Sequence, residues 1–309
     1  MKRFLVILPA LLLLAVQNSA AQSAAEYKSA YERQVRMLGQ AGVGVETILD
    51  RWAEAAPDDC DMLLARFDYY LAKSRSTRVE PRKESRFLGR KPFLSLKDST
   101  GTPVHYYEVP AFDEPVFVQS QQAVDKAIRL RPEELSYRFR KITALLEYEK
   151  ESPDMAATAV LDLVDHDAAS HPAWTLNGEK AGPEVLPAAV QEYCKAFFDT
   201  GGPQAMESFR IVSERMLKLH PREAAFLDNM GTWNLLVRKD NAAALKYYKK
   251  ALKYKSDDYT AVCNIVLLAR NAKDVKLEKR YLPLLMKLSS DETEKASARA
   301  RLDYLSGKR

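Results

Sequence analysis

Apolar residues recur at helical spacing through most of the chain, and the clearest case lies between residues 225 and 261. Two helical patterns follow one another there, joined by a polar turn around Asp240. Their apolar and small residues are Phe226, Leu227, Met230 and Gly231 in the first pattern, and Ala244, Tyr248 and Ala251 in the second. Residues three and four apart lie on the same side of a helix. The stretch therefore predicts two helices that pack against each other.

The same criterion predicts further helices, and prolines mark the start of several of them. Pro57, Pro132 and Pro221 each open a new apolar pattern and have acidic residues close by. Both features suit the first turn of a helix, where backbone N–H groups lack partners. Residues 165–182 are predicted to form a linker, in which Trp174 is expected to pack. The predicted helices cover residues 24–38, 45–55, 57–73, 114–131, 134–150, 153–164, 183–198, 203–220, 223–237, 241–254, 258–271, 275–288 and 291–305.

Residues 74–110 interrupt the helical pattern. Two runs rich in strand-forming residues, 93–97 and 104–109, flank the turn sequence Asp98-Ser99-Thr100-Gly101-Thr102-Pro103. Such an arrangement is typical of two antiparallel strands joined by a turn. The insertion is therefore predicted to form one small β-hairpin.

Gly231 is an unusual choice inside a helix, because Gly costs about 1 kcal/mol there relative to Ala. A small residue is needed where two helices cross closely. Together with Ala244, Tyr248 and Ala251, it resembles the pattern of a tetratricopeptide repeat (TPR). The resemblance is strongest over residues 221–273 and weaker over 45–73 and 114–150. It implies an all-α fold of tandem antiparallel helix pairs stacked as a TPR-like superhelix, with the β-hairpin as an insertion.

The resemblance also implies a binding groove lined by the first helix of each pair. Its positions 2, 5, 6, 9 and 12, which commonly face the groove, correspond here to Ala225, Asp228, Asn229, Thr232 and Leu235, and then to Thr260, Cys263, Asn264, Leu267 and Arg270. The candidate ligand contacts are Asp228, Asn229, Thr232, Thr260, Asn264 and Arg270. The bases that grip C-terminal carboxylates in some family members are missing at Asp228 and Cys263, so that activity is not implied.

Asn229 and Asn264 occupy equivalent places in successive repeats, 35 residues apart. A side-chain amide has donors and an acceptor, so each could bond to the backbone of an extended ligand. Each could equally bond a neighbouring helix and only tighten the stack.

The last predicted helix, 291–305, is interpreted as the polar-faced cap that open repeat stacks require. Ala296, Ala300 and Leu302 are expected on its packed side. Ser289 and Glu292 have the spacing of a capping box at its start.

The beginning of the chain has the pattern of a secretory signal peptide. Lys2 and Arg3 precede an apolar stretch at 4–16, and Ser19-Ala20-Ala21 forms a small-residue cleavage site. A bilayer span needs about 20 apolar residues, which makes an uncut membrane anchor the less favoured interpretation. We therefore expect residues 1–21 to be removed, leaving a single TPR-like domain at 22–309, without a transmembrane segment, in the periplasm or medium.

The charge is concentrated in the insertion. The whole chain carries +5, but residues 73–97 hold nine bases and two acids, a net charge of +7. These bases either pair with Glu108, Asp113 and Glu114 as a solvated loop, or bind an anionic envelope polymer, a lipid head group or an acidic protein. Nucleic acid is not an expected partner, because export separates the protein from it and no nucleic-acid-binding motif is present. The candidate anion-binding residues are Arg82, Lys83, Arg90 and Lys91.

Candidate chemistry is sparse. The motifs GxSxG, HExxH, GxxxxGK[ST] and GxGxxG do not occur, so we expect neither an enzyme nor a bound cofactor. Asp165-His166-Asp167 with His171 is interpreted as a solvated helix end and turn rather than a metal site. The three cysteines, Cys60, Cys194 and Cys263, fit buried helix positions, and one disulfide among them stays open.

Two classes of function remain. The favoured class is an exported, non-enzymatic scaffold that holds a protein or peptide in the groove. The other is a protein that binds an envelope glycan or anionic polymer through the basic insertion and exposed aromatic residues. A glycan site should show exposed aromatic residues in a shallow cleft, whereas a peptide groove should show mixed polar positions with few aromatics.

Overall fold

The structure is a computed structural model that describes residues 24–87, 90–150 and 152–307. The predicted signal peptide, residues 1–21, lies outside the described residues. Thirteen helices are found in the described part, close to the predicted ones. They are α1 (24–38), α2 (Val45–Ala55), α3 (Cys60–Ser74), α4 (Glu114–Leu130), α5 (Leu135–Glu149), α6 (Asp154–Ser170), α7 (Val185–Thr200), α8 (Gly202–Leu219), α9 (Ala224–Trp233), α10 (Asn241–Tyr254), α11 (Tyr259–Asn271), α12 (Val275–Leu288) and α13 (Glu292–Leu305).

The residues cluster into two compact units. The first unit consists of the described part of 1–150 together with Pro172–Gly182, and the second of the described part of 151–171 and 183–309. The prediction of one domain over 22–309 stays a prediction. Among the described residues, no helix combines the length and the apolar character that crossing a bilayer requires.

In the first unit, the insertion forms a sheet of three antiparallel strands between α3 and α4. The strands are β1 (Arg75–Arg82), β2 (Leu94–Lys97) and β3 (Pro103–Phe112), in the order β1-β3-β2. The predicted hairpin is the β2–β3 pair. Strand β1 is an addition to the prediction, since its sequence RSTRVEPR has many charges and one Pro. Pro is tolerated there because β1 lies at an edge of the sheet.

The sheet leaves the helix pair intact. The Asp113 amide donates to the carbonyl of Ser74 at 2.8 Å, which closes the base of the insertion. The chain thus leaves at the end of α3 and returns at the start of α4, and these two helices pack along each other. The insertion is therefore an appendage between the two helices of one antiparallel pair.

The linker is shorter than predicted, because α6 continues to Ser170 instead of ending at residue 164. The segment between α6 and α7 contains two short strands, β4 (Thr175–Leu176) and β5 (Glu179–Lys180). The turn between them is held by Glu134, whose carboxylate accepts from the amides of Asn177 and Gly178 at 2.7 and 2.9 Å. Trp174 is half-buried, and the Arg138 guanidinium lies 5.7 Å from the centre of its ring.

The second unit is built from antiparallel helix pairs. Helix α7 packs with α8, α9 with α10 and α11 with α12, and each pair also contacts the next. The core between α9, α10 and α11 is made of Leu227, Ala244, Tyr248, Ala251, Ala261 and Ile265, all of them fully buried. This is a TPR-like fold, and with the sheet of the first unit the chain is an all-α repeat protein that carries a small β insertion.

The terminal helix differs from its prediction. Ala298 is the buried residue of α13, and Leu302 packs against the same cluster, whereas Ala296 and Ala300 are exposed. Because 298, 302 and 305 are three or four residues apart, they lie on one side of the helix. The predicted capping box is also wrong. The N-cap is Asp291, whose carboxylate accepts from the Thr293 amide at 2.8 Å.

Candidate functional site

The predicted groove positions lie on α9 and α11, which are first helices of successive pairs in the second unit, except for Leu235, which follows the end of α9. Both helices bury their other sides, α9 through Phe226 and Leu227 and α11 through Ala261 and Ile265. The two helices nevertheless present different surfaces. Most of the candidate side chains on α9 are buried, whereas those on α11 are half-buried or exposed.

Asn229 is buried and bonded on all its amide hydrogens. Its Nδ2 donates to Gln191 Oε1 on α7 at 2.9 Å and to Ser213 Oγ on α8 at 3.1 Å. Its Oδ1 accepts from Gln191 Nε2 at 3.1 Å. A buried polar group must find partners of this kind, and Asn229 finds them on neighbouring helices. Its role as a ligand contact stays a prediction.

Asp228 is only 5% exposed and faces a second carboxyl group, that of Asp258 at the start of α11. Asp258 is equally buried, and its carboxylate accepts from the amide of Ala261 as the N-cap of α11. Burial and the neighbouring charge and hydrogen bond of Asp258 raise the pKa of Asp228 to about 8. The opposing effect of Lys255, which lies 3.5 Å from Asp258, is smaller. Its buried position thus favours the protonated, uncharged form of Asp228.

Thr232 and Arg270 are also engaged within the protein. Thr232 Oγ1 lies 3.1 Å from the hydroxyl of Tyr248. Arg270 Nε donates to Oε1 of Glu278 at 3.1 Å, and the same carboxylate receives two hydrogen bonds from Arg301 at 2.8 and 2.9 Å. Glu278 is almost fully buried, and hydrogen bonds from Arg301 above all, with those from Arg270, outweigh burial and lower its pKa. This cluster ties α11, α12 and α13 together.

The accessible part of the predicted groove is therefore a stripe on α11. Thr260, Cys263, Asn264 and Leu267 follow the spacing of one helix face, and we name them the α11 stripe. Leu267 is 46% exposed, which is high for a leucine, and Thr260 is exposed as well. Asn264 is half-buried, and its side chain makes no hydrogen bond to another residue that the structure describes. The stripe combines a hydroxyl, a thiol, an amide and an apolar side chain. None of its members is aromatic, but the exposed Tyr259 beside it hydrogen-bonds to Cys263.

The four candidate anion-binding residues of the insertion fall into two groups. Arg82 is half-buried, pairs with Glu80 at 3.0 Å and lies over the ring of Phe87 at 3.7 Å. Lys83, Arg90 and Lys91 are exposed and make no ion pair with any described residue. The pairing with Glu108, Asp113 and Glu114 considered from the sequence is not found among the described residues, since Asp113 instead caps α4 by accepting from the Val116 amide.

The sheet also has an exposed apolar face beside these bases. Val79, Leu94 and Leu96 have about half of their surface exposed, and their partners on β3 are two residues apart. Residues two apart on a strand lie on the same face of the sheet. Phe93, the residue before β2, is exposed as well. The insertion thus combines unpaired positive charge with exposed apolar side chains.

Within the part of the chain that the structure describes, no three His, Cys, Asp or Glu side chains are grouped as metal ligands would be. His171 ends α6 in a left-handed conformation, with φ 44°. Cys60 and Cys194 are buried thiols, and Cys263 is half-buried. Burial raises the pKa of Cys194 to about 12, which makes its thiol unreactive.

The residues that contact the buried side of the predicted groove were not predicted from the sequence. Gln191, Ser213, Asp258 and Glu278 belong to other helices, and only the fold brings them next to Asn229, Asp228 and Arg270. A signal for Asp258 existed, because an acid at a helix start is a typical N-cap. The others carry no local signal.

Comparison with known proteins gives similarity at the level of structure only. No protein-family model and no curated protein matches the sequence. The chain is similar to PilF of Pseudomonas aeruginosa, with a TM-score of 0.43 and 13% identity, over 62% of this chain and 78% of that one. It is also similar to the flexible tandem repeat domain of a bacterial cellulose synthase component, with a TM-score of 0.25 and 15% identity, over 91% and 98% of the two chains.

Proposed function

We propose that the protein is an exported, non-enzymatic scaffold that binds a protein or peptide partner on the α11 stripe. The observation that carries this proposal is the stripe itself. One face of a well-packed helix keeps an exposed leucine and an unpaired amide, while the neighbouring positions of α11 are buried. A rigid element that presents such a face is the usual support of a protein-binding site.

The composition of the stripe favours a peptide over a glycan. Leu267 offers apolar contact, and Thr260 and Asn264 offer hydrogen bonds that do not depend on the partner's side chains. Sugar-binding clefts use aromatic faces, and the predicted groove positions of α9 and α11 include no aromatic residue. We therefore expect an extended peptide segment to lie along α11.

Export rests on the sequence at 1–21. The charged start, apolar stretch and small residues are typical of a cleaved secretory leader. We propose that the mature protein begins near Gln22 and acts in the periplasm or outside the cell. Intact-mass analysis of native material tests this, and a mass that includes Met1 would contradict it.

A paired variant tests the binding face. The mature protein is used to capture partners from its own cell envelope, and the captured proteins are identified by mass spectrometry. In the test variant, Thr260→Glu and Leu267→Glu place two acids on the stripe. In the control, Thr293→Glu and Val275→Glu change the same types of exposed residue elsewhere in the second unit.

A partner of the stripe is captured by the wild type and the control but not by the test variant. The captured protein is then titrated against all three forms, so that binding is measured directly. Equal capture by all three forms would overturn the proposal, because it would show that the stripe is not needed for binding.

A second candidate function is the binding of an anionic envelope polymer or acidic glycan by the insertion. Its support is that Lys83, Arg90 and Lys91 are exposed without an ion-pair partner among the described residues, beside the exposed ring of Phe93. Lys73, Arg75 and Arg82 are paired with acids, so Lys83, Arg90 and Lys91 are among the charges left to meet such a polymer.

A further inference from the structure

The second unit contains a cavity that the predicted groove does not use. It lies between α8, the end of α9 and α10, and its volume is about 440 Å³. This is within the range of about 300–1,000 Å³ that sites for small molecules occupy. The side chains that decide its chemistry are Glu214, Trp233, Arg238, Lys246, Tyr247 and Lys250. None of them belongs to the α11 stripe.

An irregular helical turn forms one wall of the cavity. Residues Asn234–Arg238 continue α9 as a π-helix, and Lys239 ends it in a left-handed conformation with φ 57°. Buried Asn234 holds the turn, because its Nδ2 donates to the carbonyl of Met230 at 2.7 Å and its own carbonyl accepts from the Asp240 amide at 2.9 Å. Such wide turns are rare and are frequently found at functional sites. Here the turn brings Arg238 to the cavity.

The charge of the lining is strongly positive. Arg238, Lys246 and Lys250 make no ion pair with any residue that the structure describes. Lys246 and Lys250 are one helical turn apart on α10, a spacing at which like charges repel each other. The acid in the lining, Glu214, is paired with Arg210 on the same helix, which also pairs with Glu207. The three bases of the lining therefore outnumber its one acid. An anion in the cavity would relieve this repulsion.

The lining also offers flat apolar surface. Trp233 and Tyr247 are both half-buried, so part of each ring is accessible. The guanidinium of Arg210 lies 5.6 Å from the centre of the Trp233 ring and fixes that side chain. Rings held in this way stack on planar or cyclic ligands at little entropic cost.

From these observations we propose that the cavity binds a small ring-bearing anion. The negative group, a phosphate or a carboxylate, is held by Arg238, Lys246 and Lys250, and the ring packs on Trp233 and Tyr247. The bases and the rings line the same concave site of ligand size, so a ligand with both an anionic group and a ring would contact both. The site is independent of the proposed scaffold function.

Calorimetric titration of the full chain tests the proposal with four probes. Phenyl phosphate and benzoate carry a ring and an anion, inorganic phosphate carries only the anion, and benzyl alcohol carries only the ring. We expect at least one ring-bearing anion to bind about tenfold more tightly than inorganic phosphate and benzyl alcohol. The tighter of phenyl phosphate and benzoate shows whether the site prefers phosphate or carboxylate. If neither binds more tightly than the partial probes, the proposal is wrong.

Two lysine pairs on the same helix localise the binding. Lys246→Gln with Lys250→Gln removes two charges from the lining, and Lys249→Gln with Lys253→Gln removes two exposed charges that do not line the cavity. The first pair should weaken binding of the preferred probe about tenfold or more, while the second should leave it within about twofold. Equal losses in both pairs would show a diffuse charge effect and overturn the site. Circular dichroism of all variants excludes unfolding as the cause.

Discussion

Gly231 and Tyr248 touch at the crossing of α9 and α10, and the contact leaves no room for a side chain on α9. A Cβ placed on Gly231 would stand 2.5 Å from Cε1 of Tyr248 and 2.8 Å from Cδ1 and Cζ. The atoms approached belong to a fully buried ring, which cannot swing away. The close approach of backbone to ring is thus the reason that this helix accepts a glycine.

We expect Gly231→Ala to destabilise the protein by about 1–3 kcal/mol. The gain of about 1 kcal/mol in helix propensity is outweighed by the strain of overpacking the crossing. Denaturant unfolding of the variant measures the difference. Tyr248→Leu should lower stability by itself, but in that background Gly231→Ala should cost clearly less than in the wild type. Additive effects in the double variant would show that the ring does not cause the cost.

The contact between Gly231 and Tyr248 is also an example of a structural feature that the sequence predicts. Gly231 and the small residues of α10 predicted a close helix crossing, and the structure has it. Helices were predicted well because each one has its own apolar period, and most ends fall within a few residues. Strand β1 was missed because an edge strand needs no apolar alternation. The side chains behind the groove could not be predicted, since Gln191 and Asn229 are 38 residues apart and meet only through packing.

The carboxyl pair of Asp228 and Asp258 should make stability depend on pH. The folded-state pKa of Asp228, about 8, lies above the value of about 3.9 expected in the unfolded chain. Between these values the unfolded state has released the proton that the folded state keeps, so stability falls as pH rises from about 4 to 8. We expect Asp228→Asn, which mimics the protonated carboxyl, to be more stable than the wild type by about 1–3 kcal/mol at pH 8.

The same difference should shrink towards pH 4, because the unfolded chain then also keeps the proton in a growing fraction of molecules. Thermal unfolding of the two proteins from pH 4 to 9 measures it. The control is Asp257→Asn, because Asp257 is exposed and precedes Asp258 in the chain. Asp240→Asn is not suitable, because Asp240 caps α10. A pH-independent difference between wild type and Asp228→Asn would contradict the elevated pKa.

Glu134 should have the opposite dependence in the first unit. Burial favours its neutral form, but hydrogen bonds from Ser136, Gly178, Thr175 and Asn177 prevail and lower its pKa to about 2. The stability it contributes is present above about pH 4.5 and is lost as pH falls through 2. Glu134→Gln should cost about 1–3 kcal/mol at pH 7, because an amide nitrogen cannot accept from the turn.

Denaturant unfolding at pH 7 and pH 3 checks this expectation. The neighbouring variant Glu133→Gln changes the same chemical group without those hydrogen bonds and should have little effect at either pH. A loss of stability in Glu134→Gln that is no larger than in Glu133→Gln would show that the carboxylate does not hold the β4–β5 turn.

Binding of a polyanion by the insertion should depend steeply on salt. Screening at physiological ionic strength limits the reach of exposed charges to about 8 Å. Lys83→Ser, Arg90→Ser and Lys91→Ser should together abolish binding to an acidic polysaccharide such as polygalacturonate, with unchanged helix content. Arg82 is left in place because Glu80 and Phe87 already engage it.

The matched control replaces three exposed lysines of α12, Lys276, Lys279 and Lys287, by Ser. Biolayer interferometry at low and physiological salt compares the two triple variants with the wild type. If both variants bind polygalacturonate equally at low salt, the charge acts without a site and the insertion is a solvated loop.

The two asparagines of the repeat should behave differently from each other. Asn229 is buried and bonded to Gln191 and Ser213, whereas Asn264 has no side-chain hydrogen bond to a described residue. Asn229→Ala should therefore lower the free energy of unfolding by about 1–3 kcal/mol, since it leaves the amide of Gln191 without its partner. Asn264→Ala should leave stability within about 0.5 kcal/mol.

Partner binding then separates the roles. If Asn264 bonds the backbone of a peptide on the α11 stripe, Asn264→Ala should weaken that binding by about 1 kcal/mol or more. Asn229→Ala should weaken it only as far as the fold is loosened, and Gln191→Ala should add little further loss of stability to Asn229→Ala because both remove one interaction. Differential scanning calorimetry and titration with the captured partner measure the two quantities. A destabilised Asn264→Ala with intact affinity would place both asparagines in the stack and remove Asn264 from the binding site.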